Sequence, residues 1–515
     1  MKDSNTGILN FVRKWLIFIA IISAIFEMIF FPKFENFIGC IMTLIAVFIY
    51  TKFVLKRLII LQYPFAFLLF TSIFLYRYLP LTSTLIEGNQ ITFGMQLPIE
   101  TFFYEIILFL FSFVAFYVAC PNKILKRNNV FQKILYKINF FEIKSNIYPI
   151  LWGMGLFGLF IKVYTFGVTD TELSNTTQKF LAGLIYLVYA PILLLFPSLI
   201  NQKKNKNSSN IIIIIYVVLI TVLNIASNSR EQLIEPFFII IILFLINSLK
   251  NNIPLTDLVS PSKITLIGLF LIFGLNFFTD VSLAMIYNRS IRKDIDKIEL
   301  FEKTISTYKD EELMKTLKSL SNSDKVHINS YQKGWDETYI DNFMLNRYAN
   351  MRISDQTLYY AKLRGFNYPQ IQEYYKNRVT AIFPTPILNA LGIRFDKEII
   401  SFSPGDLLFG DGLGGFRVSS HVGTGLSTFG FVYFIIQFTL LFIVFKLLNT
   451  FVFYEYYGFK YAPYGLMSVF VFVGMFRNAS GWISDLTFIL RGYIQGIFTF
   501  FLIYFILRII FIKKY

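Results

Sequence analysis

The sequence has few charged residues, cysteines and histidines for its length. Only 16% of its 515 residues are charged, and it has two cysteines and two histidines. A soluble globular domain usually carries about 25% charged residues, so this composition argues against a soluble protein. Cys40 begins a predicted span on the outer side of the membrane and Cys120 ends another on the inner side, which argues against a disulfide between them. The sequence also lacks a Walker-type phosphate loop, a cysteine–histidine metal cluster and a convincing Ser-His-Asp order.

The sequence is rich in long apolar stretches. Hydrophobic residues make up 55% of the chain and aromatic residues 19%. The stretches are roughly 17–25 residues long, which is the length that crosses the hydrocarbon core of a bilayer. We therefore predict an all-α polytopic integral membrane protein with about 12 transmembrane helices. The predicted spans are residues 15–31, 37–53, 58–78, 102–119, 147–166, 180–200, 211–226, 232–248, 263–286, 427–448, 462–476 and 486–508.

The net charge of +16 is concentrated in alternate short loops between these spans. Such alternation is the topology signal of a membrane protein rather than a signature of nucleic-acid binding. The rule that basic loops stay inside places both termini in the cytoplasm, which requires an even number of spans. The first apolar stretch has no small-residue cleavage site, so it is predicted to be a retained helix. The opposite, outer loops hold few basic residues, namely Lys33, Arg77, Lys162, Lys179, Arg230 and Arg477.

One large outer loop interrupts this pattern. The predicted organisation is nine spans in residues 1–287, the loop in residues 288–425 and three spans in residues 426–515. Apolar residues at helical spacing predict helices over 293–323, 336–363 and 369–382 of the loop. The Gly-rich stretch 403–430 is predicted to be irregular. A loop of this length is unusual unless it serves a function.

Two arginines next to apolar helices are the first candidates for a functional site. Arg230 lies in a very short outer turn, where its guanidinium either pairs with Glu231 or holds an anion such as a diphosphate bidentately. Arg491 lies inside the last predicted span, where a charged side chain is a functional hypothesis by default. The structural alternative for Arg491 is an ion pair with Asp280.

A second group of candidates lies in the outer loop. Arg417 follows several glycines, which allow close approach of the backbone to a ligand. His421 directly precedes a span, and histidine is a natural general base near neutral pH, although a lone histidine at an interface is often structural. Arg347, Arg352 and Arg378 are further candidate cations. Arg347 and Arg352 are five residues apart, roughly 140° around a helix, so both cannot point squarely into one pocket.

One pair of acidic residues is consistent with the alternative of a metal-dependent site. Asp170 and Glu172 lie in a predicted outer loop, where two carboxylates could bind a metal ion. A metal-dependent multi-span glycosyltransferase would use such acids, typically in a long first outer loop. The first outer loop of this chain, residues 32–36, is very short.

The chain resembles the O-antigen polymerase family, also called Wzy-type oligosaccharide repeat-unit polymerases. The resemblance rests on a dozen predicted spans with one late outer loop and on three short segments: Ser229-Arg230, Ile382-Phe383-Pro384-Thr385-Pro386, and the Gly-rich stretch Ser419 to Gly430. It covers most of the chain by architecture and little of it by motif. The segment 382–386 lacks the neighbouring basic residue that the resemblance leads one to expect.

The resemblance implies a metal-independent glycosyltransferase on the outer face of a bacterial inner membrane. It would join oligosaccharide repeat units carried on undecaprenyl diphosphate, for O-antigen, capsule or exopolysaccharide. His421, Arg230 and Arg491 would then be catalytic, with Arg417, Arg347, Arg352 and Arg378 binding substrate. No cofactor or nucleic acid is expected. The expected partners are the lipid-linked oligosaccharides, membrane lipids and a chain-length regulator protein.

Three alternatives share much of this pattern. A ligase would move a finished glycan from the same lipid carrier to another acceptor. A metal-dependent lipid-linked glycosyltransferase would depend on Asp170 and Glu172. A flippase for lipid-linked oligosaccharides would need no catalysis, but it usually shows two related halves or broken helices, which the sequence lacks.

Overall fold

We describe the fold from a computed structural model of the chain. The described residues are 7–124, 127–143, 147–165, 180–181, 183–202, 210–226, 232–253, 277, 279–285, 287–288, 291, 295, 297–323, 330–396, 398–410, 413–455, 458–474 and 481–511.

Within this part of the chain, seven helices are long and apolar enough to cross a membrane. We call them spans 1 to 7 in chain order. They confirm a helical membrane protein with several spans. Their bounds are Gly7–Phe30, Phe34–Val54, Pro64–Ile86, Pro98–Ala119, Ile147–Tyr164, His421–Asn449 and Gly481–Phe511. Spans 2 and 7 each contain one π-helical turn, and a 3₁₀ turn divides span 6 into His421–Phe429 and Tyr433–Asn449.

The other predicted spans form shorter elements where they are described. Residues 180–200 form the 3₁₀ helices Ile185–Leu195 and Pro197–Ile200, since prolines at 191 and 197 remove backbone donors that an α-helix needs. The remaining short helices around the spans are Arg57–Gln62, Val130–Lys137, Asn210–Ala226, Glu235–Lys250, Pro463–Met467 and Val469–Gly474. Most of the predicted span 263–286 lies outside the described residues, so the count of twelve stays a prediction.

Two basic residues assigned to outer loops lie inside helices instead. Span 3 begins at Pro64 and continues to Ile86, so Arg77 is near its middle and fully buried. Proline at the first helical position favours this start, which is six residues after the predicted one. Lys162 lies in the last turn of span 5, where it is buried and donates to Gln232 at 2.9 Å. Both placements correct the loop assignment.

The predicted outer loop is largely helical where it is described. Its helices are Lys297–Lys309, Glu311–Ser323, Phe343–Ala349, Met351–Arg364, Pro369–Thr380, Thr385–Ala390 and Pro404–Phe409. The helical segments expected from apolar spacing are therefore present, with breaks at Asp310 and Asn350. The expectation of an irregular stretch at 403–430 is wrong, because two helices lie in it, each begun by a serine cap, Ser403 and Ser420.

A β-hairpin is the one departure from an all-α fold among the described residues. Strands β1, Val452–Glu455, and β2, Gly458–Tyr461, pair antiparallel directly after span 6. Asn128 holds Tyr454 through two hydrogen bonds of 2.8 Å. The hairpin therefore lies at the opposite end of span 6 from His421.

The outer-loop helices pack onto the other end of the spans. We call residues 330–420 the cap and Met351–Arg364 the cap helix. The cap helix packs against the first half of span 6, and ten of its residues are buried. The cap also bonds to the connection between spans 3 and 4, where Tyr331 donates to the carbonyl of Gly94 at 3.1 Å and Tyr339 to that of Ile91 at 2.6 Å. The cap is thus a packed layer on the span bundle.

Candidate functional site

Arg417 is held at the edge of the cap by a buried carboxylate. Its Nη1 donates to Asp406 Oδ1 at 2.8 Å, and its guanidinium lies 4.3 Å from the centre of the Phe409 ring. The Arg417 side chain is 20% exposed, whereas that of Asp406 is fully buried. One edge of the guanidinium is thus fixed by Asp406, while part of the group remains accessible to a ligand.

Asp406 is built to stay ionised. It accepts hydrogen bonds from the backbone N–H groups of Phe416, at 3.0 Å, and Arg417, at 3.3 Å, besides the guanidinium. Burial raises the pKa of this carboxyl. The hydrogen bonds from Arg417, Ser403 and Phe416 lower it by a larger amount, so the pKa lies below its usual range. A carboxylate fixed in this way orients Arg417 permanently.

The backbone around Arg417 is compact and partly strained. A side chain at Gly405 would meet the Arg417 carbonyl oxygen at 2.4 Å, so only glycine fits there. Phe416 has φ of +51°, a left-handed conformation that a bulky residue adopts at a cost of about 1–3 kcal/mol. Such strain persists where surrounding bonds over-determine it, and clusters at functional sites.

Two further arginines lie on helices that pack against the same short helix, Pro404–Phe409. Arg364, at the end of the cap helix, donates to the carbonyls of Leu408 at 3.2 Å and Phe409 at 2.9 Å. Arg378 lies on the helix Pro369–Thr380, where it is exposed and 5.9 Å from the ring of Tyr374. We call Arg364, Arg378 and Arg417 the arginine cluster.

Two of the predicted substrate-binding residues, Arg378 and Arg417, thus lie on elements that pack against or bond to the same short helix, as does Arg364. Arg364 is not among the candidates predicted from the sequence. Its position just before Gly365, at the C-terminal end of a helix, gave no sign that it would reach a second helix far along the chain.

His421 begins span 6 and is buried. It occupies the first position of the helix that Ser420 caps, with the Gly423 N–H donating to Ser420 Oγ at 3.1 Å. Ser420 N–H in turn donates to Thr357 Oγ1 of the cap helix at 3.2 Å. The imidazole therefore lies inside the seam between cap and spans, only 3% exposed. Its predicted role as a general base stays a prediction, and it requires the seam to open toward substrate.

The glycines around His421 serve packing. A side chain at Gly423 would meet Thr357 of the cap helix at 2.4 Å, and one at Gly425 would meet the Tyr433 ring at 2.3 Å. Glycine at these positions lets the cap helix and the two halves of span 6 approach closely. The Gly-rich character of this stretch is explained by helix contact, so it is no evidence for a ligand at His421.

Arg491 lies in a π-helical turn of span 7 and is exposed. Its Nε donates to Gln495 Oε1 at 2.8 Å. Among the ion pairs of the described residues, Asp280 pairs with Lys318 Nζ at 2.7 Å and none joins Asp280 to Arg491. π-turns often occur at functional sites, and an exposed arginine within a span is costly in lipid unless it reaches the interface or a polar ligand.

The other predicted arginines are placed differently. Arg352 is fully buried in an ion pair with Asp336 at 2.6 Å and donates to the Thr338 carbonyl at 2.8 Å, which gives it a structural role and corrects its assignment to substrate binding. Arg347 is exposed, so its substrate role stays a prediction. Arg230 lies outside the described residues, as do Asp170 and Glu172.

A buried ion pair within the spans escaped the sequence analysis. Arg77 of span 3 pairs with Glu105 of span 4, and both are buried. Ser354 of the cap helix donates to the other oxygen of Glu105 at 2.7 Å. The signal was a charge in the middle of an apolar helix, and it was missed because the predicted span ended at residue 78.

Asp355, next to Ser354, fixes the cap helix to span 4. Its carboxylate accepts from the backbone N–H groups of Gln96 at 2.6 Å and Leu97 at 2.9 Å, and from Thr101 Oγ1 at 2.9 Å. Tyr331 of the cap donates to it at 2.6 Å. These bonds join three separate segments at one buried carboxylate, so the position of the cap helix is closely defined.

Another buried acid, Asp485, lies between spans 6 and 7. Gln437 Nε2 donates to Asp485 Oδ2 at 2.7 Å, and both side chains are fully buried. Among the described residues, the Asp485 Oδ1, Tyr433 hydroxyl and Trp482 Nε1 atoms have no hydrogen-bond partner. Buried acids in spans are functional candidates by default, and Asp485 is six residues before Arg491.

The arrangement is suited to holding an anion at the water–membrane boundary. Arg364 and Arg417 bond to the short helix Pro404–Phe409, and Arg378 lies on a helix that packs against it. Guanidinium groups are bidentate donors that match phosphate oxygens. Within the described residues, no group of three or more His, Cys, Asp or Glu side chains is placed to hold a metal ion. Comparison with family models, with curated proteins and with solved structures found no match to this chain.

Proposed function

We propose that the protein is a glycan polymerase that joins oligosaccharide repeat units carried on undecaprenyl diphosphate at the outer face of a bacterial inner membrane. The observation that carries the proposal is the arginine cluster, in which Arg417 is oriented by the buried Asp406 and remains partly accessible. Arg417 lies four residues before span 6, where a diphosphate anchored in the bilayer by its lipid would present its charge.

The proposed chemistry is a glycosyl transfer. A hydroxyl of the acceptor unit attacks the anomeric carbon of the donor glycan, the bond to the lipid diphosphate breaks, and the hydroxyl proton passes to a base. Arg417, with Arg378, would stabilise the charge that develops on the departing diphosphate. His421 is the proposed base and Arg491 a further cation from the membrane side.

Two related functions are separable from this one by their products. A ligase would use the same donor and the same cations but pass the finished glycan to a different acceptor. A metal-dependent glycosyltransferase would require Asp170 and Glu172. The flippase alternative has no use for a cap fixed to span 4 by Asp355 and Glu105, so the geometry gives it no support.

The test is complementation of a strain that lacks the protein, with the surface glycan separated by gel electrophoresis. If the protein is a polymerase, the null strain carries a single repeat unit on its final acceptor. Arg417→Ala reproduces that pattern, whereas Lys362→Ala, a matched change of an exposed cation on the cap helix, restores long chains. The Asp170→Asn, Glu172→Gln double variant is also expected to restore long chains.

Other products would overturn the proposal. Long glycan that accumulates on its lipid carrier in the null strain would identify a ligase. Loss of polymer only in the acidic double variant would identify a metal-dependent transferase. Membrane levels of each variant, measured by blotting, distinguish a loss of chemistry from a loss of protein.

A further inference from the structure

A short segment of the cap exposes apolar side chains on its outer side. Residues 382–393, which we call the apolar segment, follow the helix Pro369–Thr380 and include the six-residue helix Thr385–Ala390. Four large apolar residues in it are between 44% and 66% exposed: Phe383, Ile387, Leu391 and Ile393.

The inner side of the same segment is already occupied. Ile382 and Leu388 are buried, at 6% and 3% exposed, and attach the segment to the protein. Between residues 382 and 393 the sequence contains no charged residue. A surface helix of a soluble layer needs only one apolar face, so a second one indicates an apolar neighbour on the outside.

The helix that precedes the apolar segment packs against the cap-side ends of two spans. The Tyr375 ring lies 4.9 Å from that of Trp482 in span 7, and Tyr368 N–H donates to the Ser427 carbonyl of span 6 at 2.7 Å. Both spans expose large apolar side chains, among them Phe431 of span 6 and Ile494 of span 7. The apolar segment therefore directly follows a helix that is fixed to two membrane spans.

Exposed cations flank the apolar segment. Lys376 and Arg378 precede it and Arg394 follows it directly, all with exposed side chains. Basic side chains at the edge of an apolar face are favoured at a membrane surface, where they reach lipid phosphates while the apolar side chains enter the acyl region. The charge and the apolar face therefore match the same partner.

We propose that residues 383–393 are inserted into the lipid leaflet on the cap side, with Ile387 and Leu391 among the acyl chains and Arg394 at the head groups. This interfacial anchor would hold the adjoining part of the cap, including Arg378, at the depth of the lipid head groups. The inference concerns membrane contact and does not depend on the proposed chemistry.

Site-directed spin labelling of the purified protein in lipid nanodiscs tests the depth. Leu391→Cys places a label on the outer face, and Asn389→Cys places a matched label on the same helix roughly 200° away. Both native cysteines are buried, so labelling is selective for the new ones. We expect collisions of the 391 label with dissolved oxygen to exceed those with an aqueous nickel chelate several-fold, and the ratio to reverse at 389.

Three outcomes would overturn the insertion. Equal access of the nickel chelate to positions 391 and 389 would place the segment in water. Protection of the 391 label from both reagents, together with dipolar broadening between labels, would mean that a second copy of the chain covers the face. Protection from both reagents that appears only when a polyprenyl diphosphate is added would assign the face to the substrate lipid.

Discussion

Two arginine–carboxylate pairs in this molecule have the same chemistry and different surroundings. Arg77 and Glu105 are both buried between spans 3 and 4, and Ser354 of the cap helix bonds the second oxygen of Glu105. In the other pair, Asp406 is buried while Arg417 is 20% exposed. A pair buried on all sides serves to position helices, whereas the pair of Asp406 and Arg417 leaves part of the arginine side chain exposed to solvent.

The comparison also separates the arginines of the cap. Arg352, buried against Asp336, belongs with Arg77. Arg364 and Arg378 are exposed and Arg417 is 20% exposed, and Arg364 also donates to the carbonyls of Leu408 and Phe409. Access and the identity of the partner, rather than position along the chain, divide structural from candidate functional cations.

The largest effect is expected from breaking the buried pair. Arg77→Met leaves Glu105 charged and unpaired inside the span bundle, which should cost about 3–5 kcal/mol of folding stability. The measurement is thermal unfolding in detergent, followed by the fraction of protein that remains monodisperse. Combining Arg77→Met with Glu105→Met should restore most of the stability, since two apolar side chains leave no buried charge. Equal stability of the single variant and the wild type would contradict a structural role for the pair.

Removal of the accessible arginine should affect activity more than folding, because Asp406 keeps its hydrogen bonds from the backbone N–H groups of residues 416 and 417. Arg417→Ala is expected to lower the rate of chain elongation about 10²–10³-fold, the effect of losing one donor to a developing oxyanion. Arg417→Lys should recover only part of it, because an ammonium cannot hold a diphosphate bidentately. Initial rates with a lipid-linked repeat unit measure both variants. A wild-type rate for Arg417→Ala would remove Arg417 from the proposed site.

A smaller effect is expected from Asp406, which orients Arg417. Asp406→Asn removes a charged acceptor whose hydrogen bond contributes roughly 1.5–3 kcal/mol, so we expect about a tenfold lower rate. Because the folded-state pKa of Asp406 is depressed, its contribution to stability is present above the unfolded pKa of about 3.9 and is lost as the pH falls through the lower folded value. The pH–rate profile above about pH 5 should therefore be the same for wild type and Asp406→Asn, apart from its height.

The smallest effect is expected from an exposed pair. Lys362 Nζ lies 2.7 Å from Glu100, and both side chains are about 40% exposed. Pairs of this kind contribute at most about 1 kcal/mol, so Lys362→Ala should leave both the melting profile and the elongation rate near those of wild type. A large loss of either would show that exposure does not distinguish the two kinds of charge in this protein.

The class of the protein and the presence of a large, partly helical loop could be predicted from the amino-acid sequence. Apolar runs of bilayer length predict spans because lipid cannot satisfy backbone polar groups, and seven of them are present as long helices. Apolar spacing also predicted helices in the cap, and Pro369–Thr380 agrees closely with the expected segment. Arg417 and Arg378 were identified as candidate cations, since residue type alone suggests affinity for phosphate.

Which charged side chains pair with each other became visible only in the folded structure. Glu105 of span 4 pairs with Arg77 of span 3, Asp355 accepts hydrogen bonds from residues 96–101, and Arg364 bonds to the end of Pro404–Phe409. No short sequence pattern predicts these contacts, because the partners are far apart in the chain. The exact ends of the helices could not be predicted from the apolar pattern either. Because span 3 was predicted to begin six residues too early, Arg77 was assigned to a loop, although it is a buried charge within the helix. Burial depends on what packs against a side chain from elsewhere, and one sequence read along its length does not contain that information.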